Sequence, residues 1–109
     1  HLRDFTYVDD VVKIIYILSK KNNGNKIYNI CASKPIQIIQ FLNIFKKLNK
    51  FCPNIKYFKK RKGEMNITYG SNLRVKKETN YKNFVSIEAG LAKTISWYKL
   101  FKFKKILKT

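Results

Sequence analysis

The feature that most constrains the fold of this chain is an alternation between short extended segments and stretches of helical spacing. The segment from Asp4 to Val8 has the pattern of a short strand, and apolar residues then recur at helical intervals to about Lys20. An Asp side chain accepts hydrogen bonds from the free N–H groups of a first helical turn, so Asp9 or Asp10 is expected to be the N-cap. The alternation favours an α/β or α+β unit.

The middle of the chain continues the same pattern. Residues 26–31 have the composition of a buried strand, and Ser33-Lys34-Pro35 is expected to open a second helix, with Pro near its first turn. Residues 54–60 are a candidate strand, residues 59–63 form a basic loop, and residues 71–79 suit a short helix. Strands this short and this few cannot form a doubly wound sheet alone, so we expect them to complete a larger one.

A long helix is predicted at the end of the chain. Ser86 is expected to be its N-cap, and apolar residues follow at helical spacing. Trp97 and Tyr98 are expected to anchor this helix to the core. Tyr7 is expected to pack beneath a helix rather than to donate a proton. Residues 102–109 form a basic tail that we expect to be frayed.

Size and thiol content narrow the class of protein. The chain has 109 residues and 45% apolar residues, which favours one small packed globule over disorder. Cys31 and Cys52 lack metal-ligand neighbours at useful spacing, and the only histidine is His1, so no metal site is predicted. Two reduced structural thiols suit a cytoplasmic protein. No stretch approaches the roughly 20 apolar residues that a membrane span needs, and no secretory signal is recognisable.

The formal net charge of +18 admits two interpretations. Such a charge is typical of proteins that bind nucleic acid or another polyanion. However, the basic residues are spread along the whole chain, and Lys, Asn and Ile dominate everywhere, as codon bias in an A- and T-rich genome would produce. We favour compositional drift. A small basic nucleic-acid-binding module stays the alternative, supported by the interleaved aromatics of Lys56-Tyr57-Phe58-Lys59.

Three sequence blocks carry a family resemblance. They are the run Arg3-Asp4-Phe5-Thr6-Tyr7-Val8-Asp9-Asp10, the pair Tyr28-Asn29-Ile30 and Ser33-Lys34-Pro35, and the series Lys62-Gly63-Glu64, Thr68-Tyr69-Gly70, Ser86-Ile87-Glu88-Ala89-Gly90-Leu91 and Trp97-Tyr98. In order and spacing these blocks resemble the NAD-dependent nucleotide-sugar epimerase/dehydratase family of extended short-chain dehydrogenases/reductases. The chain looks nearest to the UDP-glucuronate 4-epimerase type, which is often used for cell-surface polysaccharide precursors.

The resemblance implies an α/β fold with several helices and two to four short strands. Residues 1–109 would form the truncated C-terminal, substrate-binding portion of such an enzyme. The family's NAD-binding Rossmann domain precedes the first block, so we expect that domain to be absent from this chain. The intact parent enzyme would have this missing N-terminal domain as its partner, a UDP-sugar as its substrate and NAD as its cofactor.

The resemblance also assigns three substrate-binding residues. Arg3 stands at the family's pyrophosphate-binding arginine, and an arginine fork suits phosphate oxygens because it can make two parallel hydrogen bonds. Arg61 stands where many relatives carry a second phosphate-binding arginine. Glu64 replaces an aspartate that approaches the nucleotide ribose hydroxyls, and a carboxylate can accept from two vicinal hydroxyls. Asp9 and Asp10 are expected to cap the helix rather than to act in catalysis.

No catalytic and no cofactor-binding residue is expected in this chain. The family binds NAD through a Gly-rich turn, and Gly24, Gly63, Gly70 and Gly90 form no such turn. The catalytic Tyr and Lys of the family lie upstream of the position of Arg3. We therefore expect the chain to bind no NAD and to be inactive on its own, whether the parent reaction is an epimerisation or a dehydration. A non-functional remnant of a broken gene is a further alternative.

Overall fold

The computed structural model describes residues 1–21, 24–50 and 53–107, with side chains described as far as residue 102. These residues form four helices and one small sheet. The helices are α1 (Val8–Ser19), α2 (Ile38–Asn49), α3 (Leu73–Thr79) and α4 (Ile87–Leu107). The strands are β1 (Leu2–Arg3) and β2 (Ile36–Gln37). The expected α/β fold with a few short strands is thereby confirmed.

The sheet joins the start of the chain to two distant segments. β1 and β2 are antiparallel, with Leu2 opposite Gln37 and Arg3 opposite Ile36. On its other side Leu2 forms a parallel bridge with Ile67, in which the Leu2 N–H donates to the Asn66 carbonyl oxygen at 2.8 Å. The first residues therefore lie between the start of α2 and the segment that follows the basic loop.

The buried core lies between α1 and α3, which pack together. Ile14 of α1 and Val75 of α3 are fully buried, and Ala32 is nearly so. On the other side of the molecule α2 packs against α4. Phe5, which precedes α1, stacks on Phe41 of α2 with ring centroids 4.5 Å apart. A core this small suits a unit whose apolar surface is only partly covered by its own residues.

Two of the three longer helices, α2 and α4, begin at a hydrogen bond between a side chain and a backbone N–H group. Ser86 caps α4 as predicted, because its Oγ accepts the Ala89 N–H at 3.2 Å. The predicted start of α2 at Ser33–Pro35 is wrong, since the helix begins at Ile38 after the strand β2. There the Gln40 side chain accepts the Gln37 N–H at 2.9 Å.

Three predicted strands are wrong. Residues 4–7 connect β1 to α1 without ladder bonds, and residues 26–31 and 54–60 are irregular. Ile27 is 84% exposed, and Tyr57 and Phe58 are equally open to solvent. A strand needs a neighbour that completes its hydrogen bonds, and the described residues place no such neighbour beside these segments.

The far end of α4 also differs from expectation. Trp97 and Tyr98 are more than half exposed, so they do not anchor α4 to a core within the described part of the chain. The Trp97 ring lies 4.7 Å from that of Phe101 instead. Residues 102–107, predicted as part of a frayed tail, continue the helix. Residues 22 and 23 and the thiol of Cys52 lie outside the described residues.

Candidate functional site

Arg3, the predicted pyrophosphate contact, lies in β1 with a half-buried side chain. Its guanidinium donates to the carbonyl oxygens of Leu2 at 2.8 Å, Met65 at 3.0 Å and Asn66 at 3.4 Å. These contacts fix the guanidinium against the segment that follows the basic loop. Arginine has five N–H donors in a planar fork. Counting contacts with described residues only, two of them remain for a ligand.

Arg61 and Glu64, the other two predicted substrate contacts, close one tight turn. The Arg61 N–H donates to the Glu64 carboxylate at 3.2 Å, and the Glu64 N–H donates to the Arg61 carbonyl at 3.2 Å. Gly63 between them has a φ of 82°, which favours glycine. The Arg61 side chain is exposed and the Glu64 side chain is half-buried. The turn thus engages one carboxylate oxygen of Glu64 and leaves the Arg61 guanidinium open to solvent.

The structure brings these three predicted residues to one segment of chain. Arg61 and Glu64 form the turn, and the chain then runs through Met65 and Asn66, whose carbonyls hold Arg3. The parallel bridge between Leu2 and Ile67 completes the junction. We call this junction of β1 with residues 61–67 the cationic edge, because it carries Arg3 and Arg61. It offers guanidinium groups for an anion and a carboxylate for hydroxyl groups.

Asp4, next to Arg3 in the sequence, joins two other segments of the chain, and our reasoning from the sequence missed it. Its carboxylate accepts the N–H groups of Ser33 at 3.1 Å, Lys34 at 3.3 Å and Gly70 at 3.5 Å. Thr6, two residues on, accepts the Ala32 N–H at 3.0 Å. Side chains two apart on an extended segment share a face. The spacing of Asp4 and Thr6 in the motif could therefore have indicated that both side chains accept hydrogen bonds from one segment, residues 32–34.

Ser33 completes the junction that Asp4 begins. Its backbone is left-handed, with a φ of 57°. Its hydroxyl donates to the Gly70 carbonyl at 2.7 Å and accepts the Asn72 N–H at 3.1 Å. The buried Asn72 amide donates in turn to the Cys31 carbonyl at 2.9 Å. A Cβ atom at Gly70 would lie 2.8 Å from the Cys31 sulfur, so the two segments approach as closely as glycine allows.

Asp10 is a buried structural group, and the prediction that Asp9 or Asp10 caps α1 is wrong. The N-cap is Tyr7, and no side chain caps it. Asp10, which is 1% exposed, accepts the Tyr81 hydroxyl and the Val85 N–H, the latter at 2.9 Å. Asp9 is exposed in the first turn. Burial of the Tyr81 ring and the hydrogen bond to Asp10 raise the pKa of Tyr81 to about 12.

A second polar cluster ties residues 26–28 to α3. Glu78 accepts the Tyr28 hydroxyl and lies 3.5 Å from the Lys26 ammonium. The hydrogen bond from Tyr28, aided by the charge of Lys26, lowers the pKa of Glu78 below its usual value. Arg74 of α3 adds a bond to the Ile27 carbonyl at 3.0 Å. This cluster holds an irregular segment in place, and its contacts involve α3 rather than Arg3, Arg61 or Glu64.

An open apolar cleft of about 660 Å³ lies between the start of α1, α2 and α4. Phe5, Phe41, Leu91 and Trp97 contribute to its lining. Tyr7 packs against α4, where a Cβ atom on the buried Gly90 would lie 3.3 Å from the Tyr7 ring. Few polar groups line the cleft, so it is suited to packing against an apolar surface rather than to catalysis.

The described residues offer no group of three or more His, Cys, Asp and Glu side chains that could hold a metal ion. Cys31 is a free, half-buried thiol. Within the described ranges, none of the helices combines the length and apolar character that crossing a bilayer requires.

Comparison with known proteins identifies relatives across most of the chain. No family model matches. An uncharacterized protein of Methanocaldococcus jannaschii is 35% identical over 97 residues, which are 88% of this chain and 29% of that protein. The UDP-glucuronate 4-epimerase of Thermodesulfobacterium geofontis is 35% identical over 98 residues, which are 89% of this chain and 30% of the enzyme.

A solved structure matches the fold as well. The Bordetella bronchiseptica enzyme WbmF in complex with NAD+ and UDP superposes with a TM-score of 0.77 at 25% identity, over 99% of this chain and 33% of that one. The chain therefore spans about a third of the length of the proteins it matches. On the shared sequence blocks and the shared fold, it belongs to the NAD-dependent nucleotide-sugar epimerase/dehydratase family of extended short-chain dehydrogenases/reductases and corresponds to the C-terminal part of its members.

Proposed function

We propose that this chain supplies one wall of the UDP-sugar site of an NAD-dependent nucleotide-sugar epimerase. Arg3 and Arg61 would contact the diphosphate, and Glu64 the ribose hydroxyls. The observation that carries the proposal is the attachment of the Arg3 guanidinium to the carbonyls of Met65 and Asn66, directly after the Arg61–Glu64 turn. The relatives named for UDP-glucuronate epimerisation, and the UDP bound to WbmF, support the choice of ligand.

The geometry suits a nucleoside diphosphate for electrostatic reasons. A half-buried guanidinium held by three carbonyls loses little conformational freedom when it binds an anion. Its remaining N–H groups form charge-assisted hydrogen bonds, which are stronger than neutral ones. The free carboxylate oxygen of Glu64 can accept from a hydroxyl while the other oxygen keeps the turn closed.

The described residues do not fit NAD. Its pyrophosphate needs a Gly-rich turn that leads into a helix N-terminus. Gly90 lies inside α4, Gly70 lies against Cys31, and Gly24 and Gly63 lie in isolated turns. We therefore assign no step of the reaction to residues of this chain. Binding of NAD and the chemistry of the sugar would belong to the remaining part of the parent enzyme, and this chain alone would be inactive.

An exposed apolar face of α1 supports the proposal that another domain of the parent enzyme packs against this chain. Val8, Val12, Ile15 and Tyr16 lie on one side of the helix, and each is more than half exposed. A second apolar face on a helix that already buries Ile14 indicates a covering surface. We propose that the NAD-binding domain of the parent enzyme covers it. A cytoplasmic enzyme that makes precursors of cell-surface polysaccharides is the setting we propose.

The test of this function is a titration of the 109-residue chain with UDP, comparing two arginine variants. We expect Arg3→Ala to weaken UDP binding about ten-fold or more, because charge-assisted bonds to phosphate are lost. Arg74→Ala is the matched control, since Arg74 is also an arginine bonded to a backbone carbonyl, but on α3. It should change the dissociation constant less than about two-fold. Equal losses in the two variants, or no UDP binding by the unaltered chain, would contradict the proposal.

A second candidate function rests on the exposed aromatics of the basic segment. Tyr57 and Phe58 are 84% and 86% exposed and are flanked by Lys56 and Lys59. Aromatic rings between cations suit stacking on the bases of single-stranded nucleic acid. A salt series with a single-stranded oligonucleotide separates the two candidates. Non-specific phosphate contacts weaken steeply as salt rises, so binding that persists well above physiological salt would favour the nucleic-acid module.

A further inference from the structure

Lys60 and Arg3 share one partner, because both donate a hydrogen bond to an oxygen of Asn66. The Lys60 ammonium donates to the side-chain oxygen Oδ1 of Asn66 at 2.7 Å. The backbone oxygen of the same Asn66 accepts from the Arg3 guanidinium at 3.4 Å. The turn between Arg61 and Glu64 folds the chain back so that residue 60 faces residue 66. The two positive groups are thus fixed on one short segment by a neutral amide.

No acidic side chain of the described residues forms an ion pair with either cation. Among the described residues the ion pair is that between Lys26 and Glu78, on the other polar cluster. The nearby Glu64 carboxylate accepts a backbone N–H instead. Two like charges held close together repel each other. An anion that binds next to both cations attracts each of them and offsets their repulsion, so the pair favours a charged diphosphate over a neutral ligand.

We propose that Lys60 is a further binding residue for the diphosphate of a nucleoside diphosphate sugar and that Asn66 positions it. The proposal rests on the diphosphate contact of Arg3 proposed above. The two groups have complementary chemistry. The planar fork of Arg3 binds two oxygens of one phosphate, whereas Lys60 supplies a compact charge with three donors. Asn66 uses one donor of Lys60 and leaves the others for the ligand.

The test compares Lys60→Gln with Lys59→Gln in the 109-residue chain. Glutamine at position 60 keeps a donor for the Asn66 oxygen and removes the charge, so the loop is retained. Lys59 is the neighbouring exposed lysine, and its replacement changes the net charge by the same amount. The probes are UDP, inorganic pyrophosphate and uridine, and the readout is the dissociation constant from shifts of backbone amide NMR signals.

We expect Lys60→Gln to weaken UDP and pyrophosphate about five-fold, the effect of losing one exposed ionic contact. Uridine, which has no phosphate, should bind both variants as it binds the unaltered chain. Lys59→Gln should change each constant less than about two-fold. An Asn66→Ala variant should shift UDP binding in the same direction as Lys60→Gln, because it releases the ammonium.

Two results would contradict the role of Lys60 and leave the proposed function intact. One is a Lys60→Gln chain that binds UDP as the Lys59→Gln chain does, while Arg3→Ala still weakens binding. The other is an equal loss for uridine, which would indicate a change in the loop rather than a lost phosphate contact. If the unaltered chain gives no response to UDP, both this role and the proposed function are wrong.

Discussion

At the scale of the residue, Asp10 joins the beginning of the fold to its end. Its carboxylate accepts the Tyr81 hydroxyl and the Val85 N–H, across 71 and 75 residues of sequence. It is nevertheless the second of two adjacent aspartates at a helix start, a pattern that suggests capping. The sequence could not distinguish the two aspartates, because the partners that select Asp10 for burial are distant along the chain.

The first prediction compares Asp10→Asn with Asp9→Asn. An asparagine at position 10 has one acceptor oxygen, so its NH2 group would face one of the two buried donors. We expect the free energy of unfolding to fall by about 1–3 kcal/mol. Asp9 is exposed, and the same exchange there should change stability by less than about 0.5 kcal/mol. Urea unfolding of both variants measures the difference, and equal losses would show that Asp10 makes no special contact.

The second prediction concerns the pH dependence that Tyr81 produces. Its pKa is near 10.0 for a free tyrosine and about 12 in the folded chain. Because the folded state holds the proton more tightly, this stabilisation is complete below about pH 10 and is lost as the pH rises through about 12. The advantage of the unaltered chain over Tyr81→Phe in urea unfolding should therefore shrink across that range. An advantage that stays constant from pH 9 to 12 would contradict the assignment.

At the scale of the element, α1 has two apolar faces with different surroundings. Ile14 is fully buried against the core that α3 closes, whereas the adjacent Ile15 is 55% exposed. Periodicity located the helix and its last turn correctly. It could not say which face meets α3, because both faces are apolar.

The third prediction compares alanine substitutions at Ile14 and Ile15. Ile14→Ala removes a fully buried side chain and should lower the free energy of unfolding by about 2–5 kcal/mol. Ile15→Ala changes a surface position and should cost less than about 1 kcal/mol. Urea unfolding of the two single variants is the measurement. Similar costs at both positions would mean that the exposed face of α1 is covered in the folded chain.

Elements that depend on residues close together in the sequence were predicted correctly. Elements that depend on distant partners were not. α1, α3 and the start of α4 depend on local spacing and on a cap such as Ser86, and these were predicted. The strands predicted at 26–31 and 54–60 would have needed pairing with distant segments, and the apolar composition of these irregular segments was misleading. Ile27 and Phe58 are exposed, so apolar composition alone did not indicate where these side chains lie.

At the scale of the whole molecule, the cationic edge and the apolar surface differ in chemistry and in the segments that form them. The edge gathers Arg3, Arg61 and Glu64 at the junction of β1 with residues 61–67. The apolar surface comprises the cleft beside Phe5 and the exposed face of α1. The motif around Arg3 is the basis for predicting Arg3 as a substrate contact, and that role stays a prediction. The contacts of Asp4 and of Asn66 required the fold, because they join segments that are far apart in the chain.

We propose that this chain holds the UDP portion of the site and not the NAD portion. The most direct measurement is a pair of NMR titrations of the 109-residue chain, one with UDP and one with NAD+. We expect UDP to shift the backbone amides of residues 61–67 and of Arg3, with weak affinity that falls as salt rises. NAD+ should leave those amides unchanged at the same concentration. Shifts with NAD+ as large as those with UDP, or UDP shifts confined to other residues, would contradict the claim.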